Sequence, residues 1–168
     1  MNTGSVFLLV AAAGLAGWLA ARDDNGDTAP VAAATLAVTS PAVPPGPGET
    51  ALPRAADGHF YADVTIDGVP LRMLVDSGAS IIALTAADAD ALGLDWNEDD
   101  IIPIGHGASG MVSGKRIRLD QVQLGDLAAD QVDAAIMPHG LPVSLLGQSF
   151  LSRIGHVEIR DDRMLLRN

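Results

Sequence analysis

Beyond residue 56 the chain alternates apolar and polar positions with a period of two, and that alternation predicts strands. His59-Phe60-Tyr61-Ala62-Asp63-Val64-Thr65-Ile66 and Val69-Pro70-Leu71-Arg72-Met73-Leu74-Val75 flank Asp67-Gly68, a pair that accepts the positive φ angles of a tight hairpin. Ile81 to Leu84 reads as a further short strand. Thr85 then offers an N-cap, with Asp88 three residues on, for a short helix over Ala86 to Leu92 that Gly93 stops. The alternation resumes over Ile101 to Ile104, Met111 to Leu124 and Leu127 to Met137, broken by Gly105, Gly107, Gly110, Gly114 and Gly125. Gln148 to Arg153 predicts one or two helical turns, and His156 to Arg160 with Met164 to Leu166 predicts a closing hairpin across Asp161-Asp162. Many short strands with glycine turns predict a mostly β domain, a barrel or a sandwich.

The pattern ahead of this domain is different. From Asn2 to Ala21 no side chain is charged, and Val6-Phe7-Leu8-Leu9-Val10 opens an apolar run reaching past Trp18, close to the roughly 20 residues a membrane-spanning helix needs. No Lys or Arg precedes the run, which favours an uncleaved anchor; a cleaved signal peptide, ending at Leu19-Ala20-Ala21, is the other reading. Residues 22–55 mix Ala, Thr, Pro and Gly, including Pro41-Ala42-Val43-Pro44-Pro45-Gly46-Pro47-Gly48, which sustains neither helix nor ladder. The expected organisation is an N-terminal transmembrane anchor over 1–21, a semi-stiff linker over 22–55, and a folded domain over 56–168, held outside the cytoplasm.

Composition removes several classes of function. The formal net charge of −11 argues against a nucleic-acid partner, because phosphate binding needs clustered Lys and Arg. With no cysteine there is no disulfide framework, thiolate metal site or cysteine nucleophile. His59, His106, His139 and His156 form no ligand pair at helical spacing, and Glu98-Asp99-Asp100 lacks the alternating spacing of a calcium loop. Gly105 to Gly110 is followed by no Lys-Ser/Thr and no helix pattern, so it is no phosphate cradle, and Ser109 sits on no nucleophile elbow. Neither metal nor cofactor is expected.

One carboxylate stands apart. Asp76 follows an apolar strand directly and precedes Ser77-Gly78, where glycine lets the chain bend back and serine can fix the turn by a hydrogen bond. Hydrolysing a peptide bond with neither metal nor covalent nucleophile takes two carboxylates sharing one proton, because two adjacent carboxyls cannot both ionise. The chain holds no second Asp-Ser/Thr-Gly. A two-fold homodimer supplies the partner by setting Asp76 against its own copy.

Met73-Leu74-Val75-Asp76-Ser77-Gly78-Ala79-Ser80 resembles the active-site strand and loop of retropepsin-like aspartic proteases. Leu145-Leu146-Gly147-Gln148-Ser149-Phe150-Leu151 resembles their second signature, and Pro103-Ile104-Gly105-His106-Gly107-Ala108-Ser109-Gly110-Met111 falls where that family places its flap hairpin. The likeness runs from Gly58 to Leu166, and the N-terminal segment is similar to that of a bacterial, membrane-anchored, single-lobed branch. It implies a closed acid-protease barrel with one or two short helices, and a homodimer acting as an endopeptidase on extended peptides or proteins. In that reading Asp76 is catalytic, while Ser77, Gly78, Ala79 and Ser80 shape its loop. Ile104, Gly105, His106 and Gly107 belong to the flap that covers substrate, and Leu145, Leu146 and Gly147 pack beneath the loop. The flap departs from the family pattern in carrying His106 among several glycines. The expected location is the inner membrane as a single-pass protein with a periplasmic domain. A non-catalytic peptide-binding or dimerisation module on the same fold, and a protease acting only on its own linker, are the rival readings.

Overall fold

The computed structural model describes residue 46 and residues 48–107 and 110–168. The anchor expected over 1–21, and residues 22–45 and 47 of the linker expected over 22–55, lie outside the described residues. Ten strands and two short helices follow in the order β1 (Glu49–Pro53), β2 (Tyr61–Ile66), β3 (Val69–Val75), β4 (Ile82–Leu84), α1 (Ala86–Ala91), β5 (Ile102–Gly107), β6 (Gly110–Leu124), β7 (Leu127–Ile136), β8 (Leu145–Leu146), α2 (Gln148–Leu151), β9 (His156–Arg160) and β10 (Arg163–Arg167).

Local chemistry accounts for the individual elements. Asp67 and Gly68 both take positive φ, 49° and 85°, which closes β2 onto β3 with Ile66 opposite Val69. Thr85 caps α1 by accepting from the Asp88 N–H, and Gly93 at φ 67° ends it. The acidic run Glu98-Asp99-Asp100 forms a 3-10 turn in which Asn97 and Asp100 cap one another reciprocally.

The strands form two sheets. A seven-stranded sheet runs β2-β3-β8-β4-β7-β6-β5, and a three-stranded sheet runs β1-β10-β9. The expected closed barrel is therefore corrected: the larger sheet is open. β2 reaches β6 only at Thr65 with Gln123 and Ile66 with Val122, because β2 ends at its hairpin turn just as it meets that strand. Asp67 extends this corner by one residue, donating its N–H to the Gln121 carbonyl at 3.1 Å and accepting the Gln121 N–H at 2.7 Å. The first part of β6 is meanwhile occupied by β5.

Glu49–Pro53 lies within the stretch read as linker, yet it forms β1. Its five residues pair with β10 from Glu49 opposite Arg167 to Pro53 opposite Arg163, and Leu52 is buried.

Two apolar clusters fill the interior. The larger gathers Phe60, Val64, Ile66, Met73, Leu119, Val132, Phe150, Leu151 and Leu166. The smaller joins Ala79, Ala83, Val112, Ala135, Met137 and Leu145, with Ile81, Ile104 and Leu141 packed against it. The smaller cluster thus connects the loop after Asp76 to the first residues of β6.

Candidate active site

Asp76 is the first residue beyond β3, and β3 runs parallel to β8 with Leu74 opposite Leu145 and Val75 opposite Leu146. β8 also pairs antiparallel with β4 through Ala83. The two residues of β8 are thus wedged between the strand that enters the Asp76 loop and the strand that leaves it. That wedge fixes both ends of the loop.

Within the loop, the Gly78 N–H donates to Asp76 Oδ1 at 2.8 Å, and the Ala79 N–H donates to the Asp76 carbonyl at 3.2 Å. The Asp76 N–H donates to the Leu146 carbonyl at 3.1 Å. The carboxylate is thereby oriented by a main-chain donor two residues on, a turn that aspartate forms readily. Asp76 is half-buried, Ser77 and Gly78 are exposed, Ala79 is fully buried, and Ser80 is half-buried. The loop offers the carboxylate to solvent from an apolar base.

That base is made by Gly147 and α2. A Cβ at Gly147 would lie 2.3 Å from the Ile81 carbonyl oxygen and 2.8 Å from that of Ala79, so only glycine lets β8 turn into α2 against the loop. The Gln148 N–H donates to the Ala79 carbonyl at 2.8 Å, and Gln148 Nε2 donates to the Ser77 carbonyl at 3.0 Å. Ser149 Oγ accepts from the Ile82 N–H at 3.0 Å.

Three polar side chains support β8 from behind. Ser144, fully buried, accepts the Thr85 N–H at 3.0 Å and donates to Asp88 Oδ2, which also accepts from Thr85 Oγ1 at 3.1 Å. Thr85 and Asp88 were legible as a helix cap. Gln148 and Ser144 were not assigned a role from sequence. Ser144 had one available signal, a lone small polar residue at the mouth of an apolar run.

The residues expected in the flap lie on β5, which pairs with β6 from Ile102 opposite Gly114 to Gly107 opposite Gly110. A bulge falls between Pro103 and Gly105. The residue it contains, Ile104, gives its carbonyl to Arg116 at 2.6 Å, while its side chain joins the smaller cluster. His106 is exposed and sits opposite Met111. Between this hairpin and the loop after β7 lies a cleft of about 270 Å³, lined by Ile101, Met111, Val112, Ser113, Met137, His139, Gly140 and Leu141. Among the described residues no group of three or more His, Asp or Glu comes together as a metal site would need.

Lys115 ties the segment before β5 to β6, donating to Asp100 Oδ2 at 2.9 Å and to the Asp95 carbonyl at 2.7 Å. The Lys115 hydrogen bond holds the Asp100 carboxyl below the usual carboxylate range, against a smaller upward push from burial. Because the folded value is depressed, the contribution is complete above the unfolded value and is lost as pH falls through the folded one. Amide exchange over 95–101 is expected to quicken as Asp100 protonates, and Lys115→Met should bring the fast exchange to neutral pH. Equal protection in that variant at neutral pH would remove the tie.

A single Asp-Ser-Gly loop, backed by a Leu-Leu-Gly strand and a short helix, defines the class as a retropepsin-like aspartic-protease fold. The profile of the gag-polyprotein putative aspartyl protease family matches residues 62–153, and the chain belongs to that family. The solved retropepsin-like aspartic protease from Rickettsia conorii is 31% identical, with 71% of this chain and 89% of that one covered at a TM-score of 0.59. The EIAV protease, 21% identical over 62% of this chain and 96% of its own at a TM-score of 0.50, shares the fold. Two curated relatives are uncharacterized proteins. One, from the cobV 5′ region of Sinorhizobium sp, is 36% identical over 73% of this chain and 53% of its own. The other, RP867 of Rickettsia prowazekii (strain Madrid E), is 34% identical over 71% of this chain and 51% of its own. The chain spans about half the length of these curated relatives.

Proposed function

We propose that the protein is an aspartic endopeptidase in which Asp76 and its copy in a second chain activate one water between them. The observation that carries this is the Asp76 loop, with its carboxylate oriented by the Gly78 N–H at 2.8 Å and presented from a base that Gly147 and Gln148 hold rigid. One ionised carboxylate takes a proton from water while the protonated one polarises the peptide carbonyl. A single chain supplies one such carboxylate, so the reading requires the homodimer. Extended peptides are the fitting substrates, because their main chain can pair with strand edges beneath the hairpin that carries Ile104, Gly105, His106 and Gly107. The test is hydrolysis of a peptide mixture by the purified protein and by Asp76→Asn across acidic to neutral pH. Cleavage that persists in the variant would end the assignment, and a dimer that never cleaves would make the protein a peptide-binding module.

The proposal places residues 1–21 in the inner membrane and the domain on its periplasmic side, with 22–55 as spacer. Support comes from the uncharged run Asn2 to Ala21. Among the described residues no helix is long and apolar enough to cross a membrane. Deleting residues 2–21 should move the protein from the membrane fraction to the soluble one; continued sedimentation with membranes would refute the anchor.

A further inference from the structure

The peptide unit between Ser77 and Gly78 orients the candidate carboxylate, because its N–H, carried by Gly78, donates to Asp76 Oδ1 at 2.8 Å. Its other end is held as well. The carbonyl of the same unit, carried by Ser77, accepts from Gln148 Nε2 at 3.0 Å. A peptide unit is planar, so fixing the direction of its C=O fixes the direction of its N–H. That matters here, since Ser77 and Gly78 are both exposed and glycine leaves the torsion on the far side of the unit soft. Rotation of this one unit would swing the N–H away from Asp76. Gln148 stands on a fixed base. Its N–H donates to the Ala79 carbonyl at 2.8 Å, its carbonyl accepts the Ser152 N–H at 3.1 Å and Ser152 Oγ at 2.6 Å, and the buried Phe150 and Leu151 anchor the rest of α2. That helix starts without a side-chain cap, so the Gln148 amide serves the loop and not its own helix.

We propose that Gln148 is a positioning residue for Asp76: its side-chain amide holds the Ser77–Gly78 peptide unit so that the Gly78 N–H stays aimed at the carboxylate. This rests on the aspartic-protease reading above and deepens it by naming a residue outside the Asp-Ser-Gly segment on which the aim of the carboxylate depends. Two effects act in the same direction. Donation to the Ser77 carbonyl polarises the unit and makes its N–H a stronger donor, and it opposes rotation of the unit. The contact requires the NH2 group of Gln148, since a carbonyl only accepts. A carboxylate in that place would repel the carbonyl, a thioether would leave it to water, and an ammonium would restore the donor. Because Glu, Met and Lys side chains are all close to Gln in length, these differences separate positioning from packing. Gln148 is exposed, so none of the exchanges opens a cavity. Substrate is held by the groove and not by the Ser77 carbonyl, so a misaimed carboxylate costs turnover rather than binding.

In the full chain, Gln148→Met and Gln148→Glu should each lower kcat for peptide cleavage by about tenfold while KM changes by less than about twofold, and Gln148→Lys should return kcat to within about threefold of wild type. A second readout is independent of activity. With the full chain isotope-labelled at glycine, the Gly78 amide proton should move upfield and exchange faster with solvent in the two variants that lack a donor, and should stay near its wild-type position in Gln148→Lys. Equal loss of kcat in all three variants, or KM rising while kcat holds, would overturn the positioning role. A Gly78 amide that does not move in Gln148→Met would overturn it whatever the activity. Failure of both donor-less variants to fold would overturn it too, making Gln148 structural. A wild-type chain that cleaves nothing removes the proposed activity alone: a Gly78 amide displaced by Gln148→Met and restored by Gln148→Lys would still show that Gln148 sets the Asp76 loop.

Discussion

In the proposed dimer, replacing Asp76 by Asn is expected to lower kcat/KM for peptide hydrolysis by at least about 10³-fold, since under that proposal it removes both the base and the acid of the pair. The control lies in what the amide preserves. Asn Oδ1 can still accept the Gly78 N–H, and the Asp76 main-chain bond to Leu146 at 3.1 Å does not involve the side chain. The exchange of a charged acceptor for a neutral one should cost about 1 kcal/mol of stability or less. Loss of activity with an unchanged dimer and near-unchanged unfolding locates the effect in the chemistry. A variant that unfolded would instead make Asp76 structural.

Gly147→Ala should be the most damaging single-methyl change beneath the loop. The added Cβ would meet three backbone atoms, at 2.3, 2.7 and 2.8 Å from Ile81 O, Ile81 C and Ala79 O, and none of these belongs to a side chain that could swing away. Relief requires β8 and α2 to withdraw from the loop, stretching the Gln148 N–H bond to Ala79 and the Asp76 N–H bond to Leu146. Overpacking of this kind costs about 1–3 kcal/mol, and each strained hydrogen bond adds about 1 kcal/mol. The expected total, about 3–5 kcal/mol, is a large share of a typical domain's stability. Denaturant midpoints of wild type and variant measure it. A shift below about 1 kcal/mol would mean that the close approach at Gly147 relaxes without consequence. Gly48, with open space where its Cβ would stand but φ at 73°, serves as a comparison for strain without collision.

The legible part of this protein is local. Asp67-Gly68 announced its hairpin, Thr85 its cap and Gly93 its stop, because turn and cap chemistry act over three or four residues and are written in order along the chain. The alternation of β6 and β7 was equally plain, since each strand buries one face. The Asp-Ser-Gly and Leu-Leu-Gly segments were recognisable by their residues and order. Their physical connection, β8 inserted between β3 and β4 with Gln148 reaching the Ser77 carbonyl, could not be read from spacing.

Sequence alone thus determined the strand-rich character, the helix positions and the candidate carboxylate, all through interactions between near neighbours. Tertiary structure decided whether the larger sheet closes, because that depends on how far β2 extends when it reaches β6. It also decided that Glu49–Pro53, set in Pro- and Gly-rich surroundings, becomes a strand, because its partner β10 stands at the other end of the chain. Ser144 gained its place only where β8, Thr85 and Asp88 converge. In each case the deciding contact joins residues far apart in sequence, and the closing of such long loops leaves no local mark on composition or period.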